Sequence, residues 1–255
     1  FDGVHYGIEL GDRNANGRFD DTYVVSSEMR REERLFGSGD SLYIHAGGES
    51  EYSNEMGLGD KLLLGKDAFQ VRVNTPDSKI ALTPMTEDLV SIRLPNKVET
   101  LVLLDGAYKA GTMMYRPGRS VDVPEGEYRL LSYQLRCEDE QGDLWRLTAR
   151  GTKNSALLTV RRGSQSAFAI GEPFRPLVGV RELVLNTFQG RGGPAQLFLE
   201  LRGRGDEMVS ELTRIRGNKT RIPMSGNSVN RPKEPTFKVV KEDGEVVRQG
   251  QFEYG

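Results

Sequence analysis

One cysteine and two histidines in 255 residues leave few of the side chains that most catalytic chemistry uses. Cys137 has no second thiol to pair with inside the chain, and it reads as a buried, inert side chain. That count excludes a disulfide framework and a Cys/His zinc centre. His5 and His45 fall in no nucleophile motif, and Gly-x-Ser-x-Gly is absent. No apolar run approaches the ~20 residues of a membrane-spanning helix. Apolar runs such as Leu62–Leu64 and Leu101–Leu104 are strand-sized. Charge of one sign is also lacking: 35 Lys and Arg stand against 37 Asp and Glu, and mean hydropathy is -0.52. That balance makes no general case for nucleic acid. The local cluster Arg202, Arg204, Arg214, Arg216, Lys219 and Arg221 has no interleaved aromatics on which bases would stack, and an acidic partner surface suits it better. Helical periodicity is scarce. Only Ser27–Phe36, ending at Gly37, reads as a short surface helix or a polar edge strand.

What is present is strand pattern and turn chemistry. Val71-Arg72-Val73, Val121-Asp122-Val123 and Phe198-Leu199-Glu200-Leu201 alternate with period two, as strands with one buried face do. Asp243-Gly244 between Phe237–Lys241 and Glu245–Arg248 predicts a hairpin, because glycine accepts the positive φ of such a turn. A second hairpin is predicted from Glu127–Arg136 and Leu144–Ala149, with an acidic tip and with Trp145, the single tryptophan, anchoring a core. Arg204-Gly205-Asp206 reads as a turn between Leu201 and Met208. The fold class expected is all-β, as two to three small β-sandwich domains or subdomains. Their boundaries are expected at 1–95, 96–163 and 164–255, with Gly171–Pro176 as a linker or strand entry. Residues 1–60 hold 13 acidic and 5 basic residues, and residues 201–240 hold 9 basic and 4 acidic. Opposite fields at the two ends suit self-association.

The one segment with chemistry in it is Gly11–Asp21. Asp12, Asn14 and Asn16 place oxygen side chains at alternate positions, Gly17 permits the sharp bend, and Asp20 and Asp21 follow. Calcium is a hard cation that takes six to eight oxygens, which this spacing offers. Asp-x-Asn-x-Asn-Gly-x-x-Asp resembles the calcium loops of EF-hands, dockerins and thrombospondin type 3 repeats. The resemblance implies Asp12, Asn14, Asn16, Arg18 (through its carbonyl) and Asp20 as ligands of Ca2+; Asp21, next in the chain, is placed either to complete the shell or to stand behind it. It departs from the EF-hand at position 12, which is Tyr23, and Tyr6–Leu10 before it alternates like a strand. With two Asn for Asp, the affinity expected is on the order of 10⁻⁵–10⁻³ M.

A second resemblance rests on Arg116–Leu130, where Val123-Pro124-Glu125-Gly126-Glu127-Tyr128 is similar to the strand-turn-strand of transthyretin-like and Ig-like surface domains. It implies an inward-packing Tyr128 and the company of exported bacterial β-sandwich proteins. The start at Phe1 is expected to reflect a removed leader or a trimmed chain. These readings together predict a non-enzymatic structural or adhesive protein, extracellular, at the cell surface or periplasmic, that associates with itself or with another surface protein. The alternative is a carbohydrate- or protein-binding module, in which Tyr43, Tyr52, Tyr115 and Tyr133 would serve a glycan as exposed aromatics. The remaining catalytic reading is a glycan hydrolase with a carboxylate pair.

Overall fold

The computed structural model describes residues 5–28, 35–46, 55–65, 67–74, 79–85, 89–95, 98–117, 119–140, 142–155, 157–163, 166–182, 195–216, 220–223 and 234–252. Among these residues every regular element is a strand, and the protein is all-β. The described strands form four sheets. The largest is built in the order β15 (Arg175–Glu182), β16 (Ala195–Arg202), β17 (Met208–Arg216), β12 (Leu144–Arg150), β11 (Gly126–Glu138), β8 (Val98–Leu104), β9 (Ala110–Tyr115), β4 (Lys61–Leu64), β5 (Asp67–Asn74) and β6 (Lys79–Pro84). β13 (Leu157–Val160) adds to β11, and β18 (Thr220–Pro223) adds to β17. The sheet runs through all three expected segments, so residues 1–95, 96–163 and 164–255 share one ladder.

The apolar runs explain the layering. Every residue of β8 and of β9 is buried, which requires cover on both faces. One cover is β1 (Tyr6–Gly11), β2 (Ser41–Ala46) and β3 (Glu55–Gly57). Its Leu42, Ile44 and Met56 meet Leu62, Leu64, Val102, Leu104, Met113 and Tyr115. The other cover is β10 (Ser120–Pro124), β7 (Leu89–Arg93) and the short β14 (Ser166–Ala167). Its Val90, Ile92, Val121 and Val123 meet Leu63, Leu101, Leu103, Met114, Leu130 and Tyr133. Successive residues of each run therefore serve opposite cores, as a pleat of period two dictates.

Both predicted hairpins form. β11 and β12 pair antiparallel, and β19 (Thr236–Val240) pairs with β20 (Val246–Gln251) around Gly244 at φ +88°. Tyr128 is buried, and its hydroxyl donates to the Pro124 carbonyl at 2.8 Å. The Arg204-Gly205-Asp206 turn also forms, closed by Gly203 N–H to Glu207 O at 2.8 Å.

Three expectations need correction. Trp145 is half-buried, with its Nε1 donating to Asp139 at 2.7 Å and Arg214 over its ring; Leu147 on the same strand is the core residue. The indole needed an acceptor, and the acidic hairpin tip is where one lies. Cys137 is also half-buried. Tyr115 and Tyr133 are core side chains, each 1% exposed, because their strands are covered on both faces. In the segment expected to be helical, Ser27 and Glu28 form a turn and Leu35 is buried, while residues 29–34 lie outside the described residues, as does Tyr52.

Candidate functional site

β1 brings the chain to Gly11 opposite Ser41 of β2, and there the chain leaves the sheet as the Asp12–Asp21 loop. The loop is wound around its own side chains. Asp12 accepts the Asn16 N–H at 3.2 Å and the Gly17 N–H at 2.7 Å. Asn14 Oδ1 accepts the Asn16 N–H at 3.2 Å, and Asn16 Oδ1 accepts the Arg18 N–H at 2.7 Å. Such side-chain-to-backbone bonds hold a bend in place of a strand ladder. Gly17 takes φ +79° at the sharpest point, with open space where a Cβ would stand.

Asp21 is where the loop converges. Asn14 and Asn16 donate their amides to its Oδ2 at 2.8 and 2.6 Å. These two hydrogen bonds hold the Asp21 carboxyl below the usual aspartate range, so it is ionised at neutral pH. Asn14 and Asn16 thus meet on Asp21, and Asp12 holds the backbone of Asn16 and Gly17 in the same bend. Asp20 does not join them: the Arg18 guanidinium grips it at 3.0 and 2.9 Å. Among the described residues no three His, Cys, Asp or Glu side chains gather as a metal-ion group. The loop's gathered donors are two carboxylates and two amides. A hard cation here would take the Asp12 and Asp21 carboxylates, with the Asn14 and Asn16 oxygens once their amides turn about the last side-chain bond.

Asp40, from outside the loop, and Arg13, at a position within it that the motif leaves unspecified, anchor the loop. Asp40, with no exposed surface, accepts the Asp21 N–H at 2.8 Å and the Arg13 N–H at 3.3 Å, while its own N–H donates to Asp21 O at 2.8 Å. Its burial pushes the carboxyl above the usual aspartate range, against the pull of those two donors. Arg13 reaches the other way, pairing with Glu55 and meeting Ser41 Oγ at 3.3 Å. Tyr23, standing where an EF-hand carries its last ligand, is a packing residue. Its hydroxyl accepts the Gly37 N–H at 2.8 Å. At Gly39, with φ +131°, a Cβ would stand 2.7 Å from the Thr22 carbonyl oxygen. Asp40 carries no motif signal in the sequence, since it becomes a clamp only when β2 pairs with β1.

Two further buried carboxyls organise the large sheet. Glu99 receives the Arg136 and Arg146 guanidiniums at 2.5 and 2.8 Å. Glu207 is wholly buried and accepts the Tyr133 hydroxyl at 2.8 Å, the Gly171 N–H at 2.6 Å and the Gly205 N–H at 2.8 Å. Arg202 and Arg214 of the expected basic cluster are also engaged, with Glu200 and with Asp143. No protein-family model, curated protein or solved structure matches the chain. Among the described residues no helix is long and apolar enough to cross a membrane.

Proposed function

We propose that this protein is a calcium-braced β scaffold that works by association with copies of itself or with another surface, outside the cell, and performs no catalysis. The observation that carries this reading is unspent apolar sheet surface. β15 stands at one end of the large sheet and pairs only with β16 among the described strands. Its Leu177, Val178 and Val180 are 49, 56 and 64% exposed. An edge of this kind is a template for another strand unless it is blunted, and Pro176 blunts only its beginning. The β19–β20 hairpin pairs with no other described strand and exposes Val239, Val240, Val246 and Val247. A two-stranded ribbon is marginal in water by itself. The acidic 1–60 segment and the basic 201–240 segment supply complementary fields for a second copy.

Sedimentation of the parent and of a Val178→Lys, Val180→Lys variant tests the association. Both side chains are more than half exposed, so the variant is expected to fold, and its association constant is expected to fall at least about tenfold. A parent that stays monomeric at every concentration and calcium level would overturn the reading.

The brace has its own test. At a Kd on the order of 10⁻⁴ M, ~10 mM calcium stabilises the folded chain by about 2.7 kcal/mol. Melting in calcium against chelator is expected to show that gain in the parent and to lose it in Asp12→Ala, Asp21→Ala. Asp20→Ala, which removes a carboxylate already held by Arg18, is expected to keep most of it. An identical melting point with and without calcium in the parent would remove calcium from the proposal.

A further inference from the structure

One face of the large sheet carries a polar row where its neighbours are apolar. Thr100 of β8 lies opposite Gln134 of β11, Gln134 opposite Thr148 of β12, and Thr148 opposite Glu211 of β17. Ser132 stands opposite Arg150, and Arg146 opposite Thr213, in the same four strands. These side chains floor a cavity of about 470 Å³ whose walls include Phe36, Tyr23 and Arg13. That volume is in the range of small-ligand sites.

The polar groups of the floor are not all spent on one another. Gln134 is 9% exposed, and its Oε1 is buried without a hydrogen-bond partner. A buried acceptor left in this way costs free energy. Arg146, also 9% exposed, gives Nε to Glu99, and Glu99 is shared with Arg136. Arg150 lies over the Phe36 ring and has no carboxylate partner among the described residues. Among the described residues four guanidiniums at or behind the cavity wall (Arg13, Arg136, Arg146 and Arg150) therefore face three carboxylates, Glu55, Glu99 and Glu211. The surplus is one positive charge in a partly desolvated place, beside a row of hydroxyl and amide groups.

We propose that this cavity binds an acidic sugar, a uronic acid residue, with its carboxylate on Arg150 and Arg146 and its hydroxyls on Gln134, Ser132, Thr148 and Glu211. A neutral sugar would leave the guanidinium charge unmet. A plain anion would leave the hydroxyl and amide row of the floor without partners. A uronate supplies both, because each hydroxyl donates as well as accepts, and guanidinium pairs with carboxylate through two parallel bonds. The site is separate from the β15 edge, so its loss would leave association intact.

Calorimetric titration of the whole chain with galacturonate, glucuronate, galactose and acetate, at one ionic strength, tests this. At least one uronate is expected to saturate a single site, and galactose and acetate are each expected to bind at least tenfold more weakly. Arg150→Gln is expected to weaken uronate binding at least tenfold. Thr148→Val, which keeps the side-chain shape, is expected to weaken it severalfold, with the melting point of each variant measured alongside. Absence of saturable binding by either uronate, equal binding of galactose or acetate, or an affinity unchanged in both variants would overturn the proposal.

Discussion

Replacing Glu207 by alanine is expected to destabilise the fold by about 3–5 kcal/mol, because it strips the acceptor from three buried donors at once. The Tyr133 hydroxyl, the Gly171 N–H and the Gly205 N–H all end on this one carboxyl. Burial, with Glu207 beside it, pushes the Tyr133 phenol well above its ordinary value, so the hydroxyl stays a donor throughout the accessible pH range. The three donors come from β11, from the segment after β14 and from the β16–β17 turn, so the carboxyl ties the middle of the sheet to its outer strands. Urea unfolding checks the expectation. Tyr133→Phe, which removes one donor and leaves the other two paired, is expected to cost about 1–2 kcal/mol. A Glu207→Ala loss below ~1 kcal/mol would mean that water reaches the three donors and that the carboxyl is not a keystone.

Asp40→Ala is the second large effect, about 2–4 kcal/mol, from the Arg13 and Asp21 N–H groups left without their acceptor. Its consequence is local as well as global, since those two donors flank the loop. Under the calcium-brace proposal, calcium affinity in the variant is expected to drop together with stability, although Asp40 is outside the proposed ligand set. The pH dependence has a definite sign. Asp40 holds its proton to higher pH in the folded chain than in the unfolded one. Its protonation therefore favours the fold below the ordinary aspartate value of about 3.9, and that contribution is lost as pH rises through the raised folded value. Asp40→Asn is neutral at all pH, so the stability of the parent relative to this variant is expected to fall as pH rises across that window. A difference independent of pH would show that the carboxyl titrates as it does in the unfolded chain.

The parts of the fold that were legible in the sequence are those whose causes are local. Asp243-Gly244 announces its hairpin because the turn needs one residue at positive φ, and Gly244 is there. Asp12, Asn14, Asn16 and Gly17 announce a wound loop because each side chain bonds backbone only a few residues away. The runs Leu62–Leu64 and Leu101–Leu104 announce strands without a polar face. The tyrosines were misleading for the same reason: a tyrosine in an alternating strand looks like a surface aromatic until both faces of that strand are covered, as they are at Tyr115 and Tyr133.

Strand pattern, the two hairpins and the oxygen-lined bend near the amino end thus follow from residues close together in the chain, where short-range sterics and hydrogen bonding decide the outcome. Which strands cover which core does not follow from them, nor which carboxyls are buried and what answers them. Glu207 meets Tyr133 across 74 residues, Arg146 meets Glu99 across 47, and Arg13 meets Asp40 across 27. Such partners are selected by the ladder that joins β15 to β6 and by the two small sheets that cover it, because burying a charged group requires a partner that only the assembled layers bring within reach.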